Sequence, residues 1–268
     1  MDVVGALIAR AGTVSPRLRA GLAWRRLRRE GDVAARLIDE LVPAGAVALD
    51  IGANWGLFAW ALQQRVGPRG HVHVFEPNPE HAPSLARMRG KRPNMTVHVV
   101  ALSDHSGTAE LHIPVRQGRR CSYEATLSGA APHVQAHEDV SVQLISLDEL
   151  LGPDAPAVGF VKCDVEGHEA AVLRGAERTL RRSLPTMLIE IERRLGEGDV
   201  GDTFAQLLDL GYAGYAVRSG GLARLEDFDI EREQRSDVGR SLAGDREYVN
   251  DFLFAAPSLD VSRLCERH

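Results

Sequence analysis

The sequence predicts an α/β protein in which one mostly parallel sheet carries helices on both faces. Short apolar runs of strand length alternate with segments of helical periodicity along most of the chain. This alternation is typical of the strand–helix–strand units that build a parallel sheet. The strongest run, residues 46–51, is followed at once by a glycine-rich turn. The 268 residues are enough for one sizeable domain with additions.

Composition and charge exclude several classes of protein. With 44% hydrophobic and 26% charged residues, the chain is neither disordered nor a collagen-like repeat. The net charge of −5 argues against general binding of nucleic acid. Three widely spaced cysteines disfavour a disulfide framework or a cysteine metal site. Because we find neither a spanning apolar run nor a secretory signal, we expect a cytoplasmic protein.

The N-terminal part differs from the rest in charge. Residues 1–31 hold seven arginines against two acidic residues, a net charge of +5, so the rest of the chain sums to −10. Between Arg17 and Arg29, leucines recur near helical spacing, which predicts a basic amphipathic helix. Such a helix could lie on an anionic membrane surface, cover an acceptor pocket or dock on the acidic body. The predicted parts are a helical extension at residues 1–45, a main domain at 46–256 and a tail at 257–268.

The elements of the main domain follow one another in a regular order. We expect strands at residues 46–51, 71–75, 96–102, 140–145, 158–163 and 186–192, and two late strands at 213–217 and 248–255 that form an antiparallel edge. Helices are predicted at residues 32–41, 56–66, 167–182 and 203–210. The strand at 96–102 is expected to turn into a hairpin strand at 109–113. Residues 115–140 lack either periodicity and predict a long loop with a functional role.

The turn after the first strand predicts a nucleoside pocket. Glycine at Gly52 lets the backbone pass close to a ligand at the carboxyl end of the sheet. The dinucleotide fingerprint fails, because Asn54 and Leu57 stand where it needs glycine, and no phosphate-binding G-x-x-x-x-G-K motif occurs. Glu76 closes the second strand, 24 residues beyond Gly52, where a carboxylate can accept both hydroxyls of a ribose. Asp50 then suits a cationic ligand group; the alternative is an ordinary turn with a solvated glutamate.

Seven motifs occur in the order found in a known family. They are DIGANWG at residues 50–56, VFEPN at 74–78, VALSD at 100–104, ISLDEL at 145–150, VKCDVEGHE at 161–169, LIE at 188–190 and NDFLF at 250–254. In these motifs the chain resembles the FkbM-type family of class I S-adenosylmethionine-dependent methyltransferases. The resemblance implies a doubly wound, seven-stranded Rossmann-like sheet with a reversed final strand. It also implies S-adenosylmethionine as the methyl donor and a hydroxyl of a sugar or natural product as the acceptor.

The resemblance also implies roles for individual residues. The methionine end of the donor would be lined by Asp50, Gly52, Asn54 and Gly56, the ribose by Glu76, and the adenine by Ser103 and Asp104. Two positions depart from the common family pattern. His168 stands where a small residue is frequent, and Cys163 stands where a β-branched residue is common.

Four carboxylates are expected to converge near the ends of two strands. Residues two apart on a strand share a face, which pairs Asp164 with Glu166 and Glu190 with Glu192. Their mutual repulsion would raise at least one pKa and give a general base, or a divalent cation such as Mg²⁺ would neutralise them. Alternatively, Glu166 and Glu169 only favour the N-terminus of the following helix. His168 is a further candidate base, with an incidental histidine as the alternative.

These observations predict an S-adenosylmethionine-dependent O-methyltransferase that acts on a hydroxyl of a sugar or glycosylated natural product. The proposed catalytic residues are Asp164, His168 and Glu190. Loop residues Arg119, Arg120, Tyr123, His133 and His137 suit a hydroxyl-rich acceptor. Two other classes stay open: a nicotinamide-dependent oxidoreductase on the same fold, and a non-catalytic nucleoside-binding scaffold.

Overall fold

The computed structural model describes residues 15–127, 136–193, 200–234, 248–256 and 259–265. In these ranges the helices are α1 Pro16–Glu30, α2 Val33–Leu41, α3 Leu57–Val66, α4 Ala82–Arg89, α5 Leu147–Leu151, α6 Glu169–Arg174, α7 Glu177–Ser183, α8 Val200–Asp209, α9 Ile230–Glu233 and α10 Ser262–Cys265. The strands are β1 Val47–Ile51, β2 His71–Phe75, β3 Met95–His98, β4 Ala101–Leu102, β5 Gly107–Arg116, β6 Arg119–Arg120, β7 His137–Ile145, β8 Val158–Cys163, β9 Thr186–Glu190, β10 Ala213–Arg218, β11 Gly221–Arg224 and β12 Asp251–Ala255. His133, which we predicted to suit the acceptor, lies outside the described residues.

The main sheet has the strand order β11-β10-β12-β9-β8-β1-β2-β3. Strands β3, β2, β1, β8 and β9 are mutually parallel, while β12 is antiparallel to β9 and to β10. The predicted α/β fold with a reversed final strand is therefore confirmed. The sheet has one strand more than the seven expected, because β11 adds a hairpin partner to β10. At four residues, β11 is too short to show a strand period in the sequence.

Two hydrophobic cores flank the main sheet, as strand geometry requires. Along β1, Ala48 belongs to one core, whereas Leu49 and Ile51 belong to the other. The first core contains α1 to α4, and the second contains α6 to α8. With both faces of the sheet covered, the carboxyl ends of the parallel strands form the edge at which a ligand can bind.

A second, four-stranded sheet of order β4-β7-β5-β6 corrects two expectations. The strand predicted at residues 96–102 is divided between the sheets, as β3 and β4. The strand predicted at 109–113 is longer, and it pairs with β7 rather than with the preceding strand. Much of the expected loop at 115–140 is therefore regular structure. The β5–β7 pair encloses its own small core, which includes Leu111, Ile113 and Val142.

The basic helix α1 docks on the body of the protein. Ala20 and Trp24 are buried against the core, whereas Leu18 of the predicted apolar face is 53% exposed. Arg17 donates to the Gln63 side chain on α3 and to the backbone of α4. The arginine face is thus partly turned inward, and of the predicted leucines Leu27 packs against the core beside Ala20 and Trp24. Among the described residues, we find no helix with the length and apolar character needed to span a membrane.

Candidate active site

The glycine turn after β1 is fixed by close backbone contact. Gly52 has φ of 80°, and a Cβ at this position would lie 1.8 Å from the carbonyl oxygen of Asp164. The positive φ favours glycine, and the close carbonyl leaves no room for a Cβ. Gly56 has φ of 96°, and a Cβ there would meet the side chains of Leu85 and Met88. The turn therefore packs tightly between β8 and α4, as the DIGANWG motif requires.

Glu76 joins the turn after β1 to the turn after β2. Its Oε2 accepts a hydrogen bond from the Asn54 backbone N–H at 2.7 Å, and its Oε1 accepts one from the Asn78 N–H at 2.8 Å. Burial raises the pKa of Glu76 to about 7, against the lowering effect of these two bonds. The carboxylate is fixed in place, and each oxygen keeps further acceptor capacity for a ligand.

A cavity of about 640 Å³, including its open mouth, lies beside Glu76. Its apolar lining residues include Phe75, Leu102 and Leu111. Polar residues line it as well. Of the residues predicted for the site, those on the cavity wall are Gly52, Asn54, Glu76, Asp164, Glu166 and His168. This combination suits a ligand with a flat apolar part and a charged part.

Asp50 lies buried beneath the cavity wall, only 1% exposed. Among the described residues, no hydrogen-bond partner is present for its Oδ2 atom. Burial raises the pKa of Asp50 to about 7, with Lys162 opposing this shift and Asp164 and Glu76 adding to it. A cationic group of a ligand would satisfy this oxygen and stabilise its charge.

Ser103 and Asp104 lie behind His168 rather than on the cavity wall. Ser103 is fully buried, and its Oγ lies 3.0 Å from Nε2 of His168. Asp104 binds His105 at 2.7 Å and Arg174 at 2.9 Å near the surface. The hydrogen bond from His105, more than that from Arg174, lowers the pKa of Asp104 to about 2. The adenine contacts implied for both residues by the resemblance remain a prediction.

A buried lysine lies close to the carboxylates of this site. Lys162 is 2% exposed, and its Nζ lies 3.4 Å from Oδ1 of Asp251 and 3.9 Å from Oδ2 of Asp164. Burial alone would lower the pKa of Lys162, but Asp251, Asp164 and Glu190 outweigh it and raise the pKa above its ordinary value. The lysine therefore carries a positive charge.

Sequence reasoning missed Lys162 and Asp251 as members of this cluster. A signal for Lys162 was present, because a lysine inside the apolar run VGFVKC must find carboxylate partners if it is buried. The partner Asp251 comes from the far end of the domain, where β12 pairs with β9. Only the strand order brings the two residues together.

Glu190 and Glu192 share one partner. The Nδ2 group of Asn250 donates to Glu190 Oε1 at 2.6 Å and to Glu192 Oε1 at 2.8 Å. Burial, followed by Asp164 and Asp251, raises the pKa of Glu190 to about 10. This shift favours the protonated form of Glu190 in the ligand-free protein.

The loop before α6 is stabilised by Glu169. Its Oε1 accepts hydrogen bonds from the Val165 and Gly167 N–H groups at 3.1 and 3.2 Å. The alternative reading of the VKCDVEGHE motif, a carboxylate that stabilises a helix start, therefore describes Glu169. Glu166, by contrast, lies on the cavity wall with φ of 52°.

Comparison with known proteins agrees with this geometry. A sheet with a glycine turn, a carboxylate at the end of β2 and a cavity beside it fits the class of S-adenosylmethionine-dependent methyltransferases. Residues 50–217 match the model of the methyltransferase FkbM domain. The chain belongs to the FkbM methyltransferase family, and it is an S-adenosylmethionine-dependent methyltransferase. The oxidoreductase and scaffold alternatives are thereby set aside.

Three similar proteins illustrate the range of the likeness. The hexuronic acid methyltransferase AglP of Haloferax volcanii is 28% identical over 212 residues, which cover 78% of this chain and 80% of AglP. An FkbM methyltransferase structure from Methylobacillus flagellatus has a TM-score of 0.47 at 13% identity and covers 92% of this chain but 58% of the other. A fibrillarin from Aeropyrum pernix, solved with S-adenosylmethionine, has a TM-score of 0.45 at 16% identity and covers 84% and 74%. The chain spans less than two thirds of the Methylobacillus protein.

Proposed function

We propose that the protein transfers a methyl group to a hydroxyl of a sugar, free or within a glycosylated compound. The observation that carries this proposal is that Asp164 and His168 both line the cavity. A carboxylate and an imidazole suit an acceptor oxygen that must lose a proton as it is methylated. The likeness to a hexuronic acid methyltransferase supports a carbohydrate acceptor.

The residues of the cavity fit the methyl donor. Glu76 suits the ribose, because its fixed oxygens can accept from both hydroxyls. The apolar lining, which includes Leu102 and Leu111, suits the adenine ring. The unsatisfied oxygen of Asp50 suits the ammonium group. S-adenosylmethionine bound there supplies a methyl group that its sulfonium makes electrophilic, so the protein mainly needs to align the acceptor and exclude water.

His168 is the residue that we propose as the general base. The Ser103 hydroxyl lies 3.4 Å from Oδ1 of Asp104, whose low pKa keeps it ionised. If the hydroxyl donates to Asp104, its oxygen accepts from Nε2–H of His168. The proton is then held on Nε2, and Nδ1 is the basic nitrogen. Ser103 and Asp104 act in this proposal as positioning residues, and Asp164 orients the acceptor.

In this proposal Lys162 supplies the positive charge that a divalent cation would otherwise supply. Its ammonium group lies near both Asp164 and Asp251 and offsets one of their two negative charges. A Mg²⁺ ion at this point would be repelled by the buried lysine charge. We propose that the reaction depends on Lys162 and proceeds in the presence of a chelator.

The acceptor wall, which we define as residues 119–127, completes the cavity. Ser122, Tyr123, Ala125 and Leu127 line the space, and Tyr123 is 55% exposed. The wall is tied to the turn after β2 by an Arg120–Glu80 ion pair at 2.7 Å. We propose that it selects the acceptor, because its aromatic ring can stack on a sugar while its polar groups meet hydroxyls.

A transfer assay with methyl-labelled S-adenosylmethionine tests the proposal. Acceptors would be glycosides of hexuronic acids and of the matching neutral sugars, with chelator present throughout. We expect alkali-stable label in sugar products, as a methyl ether requires, and none with His168→Ala. Alkali-labile label would indicate a methyl ester on a carboxylate and would overturn the hydroxyl assignment. Transfer that needs added Mg²⁺ would overturn the role of Lys162.

A further inference from the structure

Three metal-ligating side chains meet on the second sheet, away from the cavity. His112 on β5 stands opposite Asp139 on β7, and His137 stands two residues from Asp139 on the same strand. Residues two apart on a strand project to one face, and cross-strand partners lie side by side. The register therefore gathers two imidazoles and one carboxylate.

Their distances are close to those of a metal site. Nδ1 of His112 lies 2.7 Å from Oδ1 of Asp139, and Nε2 of His137 lies 3.5 Å from the same oxygen. One ligand atom from each residue lies within 4.8 Å of the others. With metal–ligand distances of about 2.0–2.2 Å, the ligand atoms of a tetrahedral zinc site are about 3.4 Å apart. Small side-chain movements would reach this arrangement.

We propose that His112, His137 and Asp139 bind a divalent transition-metal ion of the Zn²⁺ class. Two imidazoles and one carboxylate favour such an ion over Mg²⁺, which prefers oxygen ligands and keeps its own waters. Three protein ligands leave a fourth position for water. A simple ion pair would need only His112 and Asp139, so His137 is the residue that separates the two interpretations.

The site is connected to the acceptor wall by backbone bonds. His112 and Thr126 exchange two hydrogen bonds, of 2.9 and 3.1 Å. The hydroxyl of Thr126 in turn donates at 2.6 Å to the carbonyl of Glu166, a residue that lines the cavity. An ion that clamps β5 to β7 therefore stabilises the strand on which the acceptor wall rests. The proposal does not depend on the identity of the acceptor.

Calorimetric titration of the chelator-stripped full chain tests the site, with ZnCl₂ and MgCl₂ as the two probes. We expect one Zn²⁺ per chain and no heat from Mg²⁺. His137→Ala and Asp139→Asn should each weaken Zn²⁺ binding by more than about tenfold. The matched control is Glu138→Gln, which removes a neighbouring charge on the other face of β7 and should bind like the parent. Equal binding by His137→Ala, or no binding by the parent, would overturn the proposal.

Two further measurements distinguish loss of the metal site from misfolding of a variant. Co²⁺ in place of Zn²⁺ should give the intense visible absorption of a four-coordinate ion in the parent and lose it in Asp139→Asn, which preserves the side-chain shape. Zn²⁺ should also raise the melting temperature of the parent and of Glu138→Gln, but not that of His137→Ala. A rise of the same size in His137→Ala would place the ion elsewhere and overturn the assignment.

Discussion

The two walls of the cavity differ in how far exposed side chains hold them. The donor wall, which we define as residues 50–56 with Glu76, is fixed by backbone N–H groups and by a glycine packed on a carbonyl. The acceptor wall has backbone bonds at Thr126, but its start is attached by the side chains of Arg120 and Glu80, which are 31% and 44% exposed. Exposed side-chain pairs contribute little to folding stability, so this end of the wall can change more easily than the donor wall. On the proposed assignment, one fold can keep its donor and vary its acceptor.

The sharpest test of this contrast is Gly52→Ala. The new Cβ would overlap the carbonyl of Asp164 and would also be strained at φ of 80°. Neither backbone can move without opening the donor wall, so we expect affinity for S-adenosylhomocysteine to fall by more than about 100-fold, or about 3 kcal/mol. Calorimetric titration measures this loss.

Gly45→Ala is the matched control for that substitution. Gly45 has a similar φ of 82°, but a Cβ there meets nothing within 4 Å. The Gly45→Ala variant should lose only about 1 kcal/mol of folding stability, the conformational cost of the positive φ. It should bind S-adenosylhomocysteine like the parent. An equal loss of affinity in both variants would show that strain, not contact with β8, governs the donor wall.

The next largest effect is expected for His168→Ala. If the imidazole removes the acceptor proton, kcat should fall by about 100-fold or more while the affinity for S-adenosylhomocysteine is kept. Ser103→Ala should lower kcat less and shift the acidic limb of the pH–rate profile, because the imidazole loses the partner of its Nε2 atom. An unshifted profile in Ser103→Ala would contradict the positioning role.

A smaller, pH-dependent effect is expected at Glu76. Its pKa of about 7 in the ligand-free protein lies above the ordinary 4.5, so much of it is protonated below pH 7. Ribose hydroxyls bind the ionised form better, so affinity for S-adenosylhomocysteine should rise from pH 6 to pH 8 with release of a proton. Calorimetry in buffers of different ionisation enthalpy measures the number of protons released on binding. Glu76→Gln should bind about tenfold more weakly and with a smaller pH dependence, the remainder coming from Asp50, whose pKa is also about 7.

Short-range signals made the donor wall predictable. Gly52, Asn54 and Glu76 follow directly from strand ends that the apolar pattern marks, and the parallel order brings those ends together. The fold class follows from the same pattern. No geometry was needed beyond the alternation of strands and helices.

Long-range pairing made the acceptor side unpredictable. The β5–β7 pair joins residues distant in sequence, such as Gly107 and Leu144, through a segment with no clear period. The partner Asp251 of Lys162 likewise comes from a strand distant in sequence. Ser103 was identified as a site residue from its motif, but its contact with His168 depends on how the loop before α6 packs.

The smallest effect should come from Arg120→Ala. This change removes the Arg120–Glu80 ion pair at one end of the acceptor wall, together with the longer contact between Arg120 and Glu138. Exposed pairs contribute about 1 kcal/mol or less, so folding stability should change little. The wall keeps its backbone bonds between Thr126 and His112, and Ser122 keeps its hydrogen bond to Glu80. We therefore expect KM for the acceptor to rise a few-fold with kcat and S-adenosylhomocysteine affinity unchanged, which steady-state kinetics and calorimetry measure together. Glu80→Gln should give the same small change, since it breaks the same pair from the other side. A matching loss of donor affinity in both variants would mean that the two walls are mechanically coupled, and the contrast between them would fail.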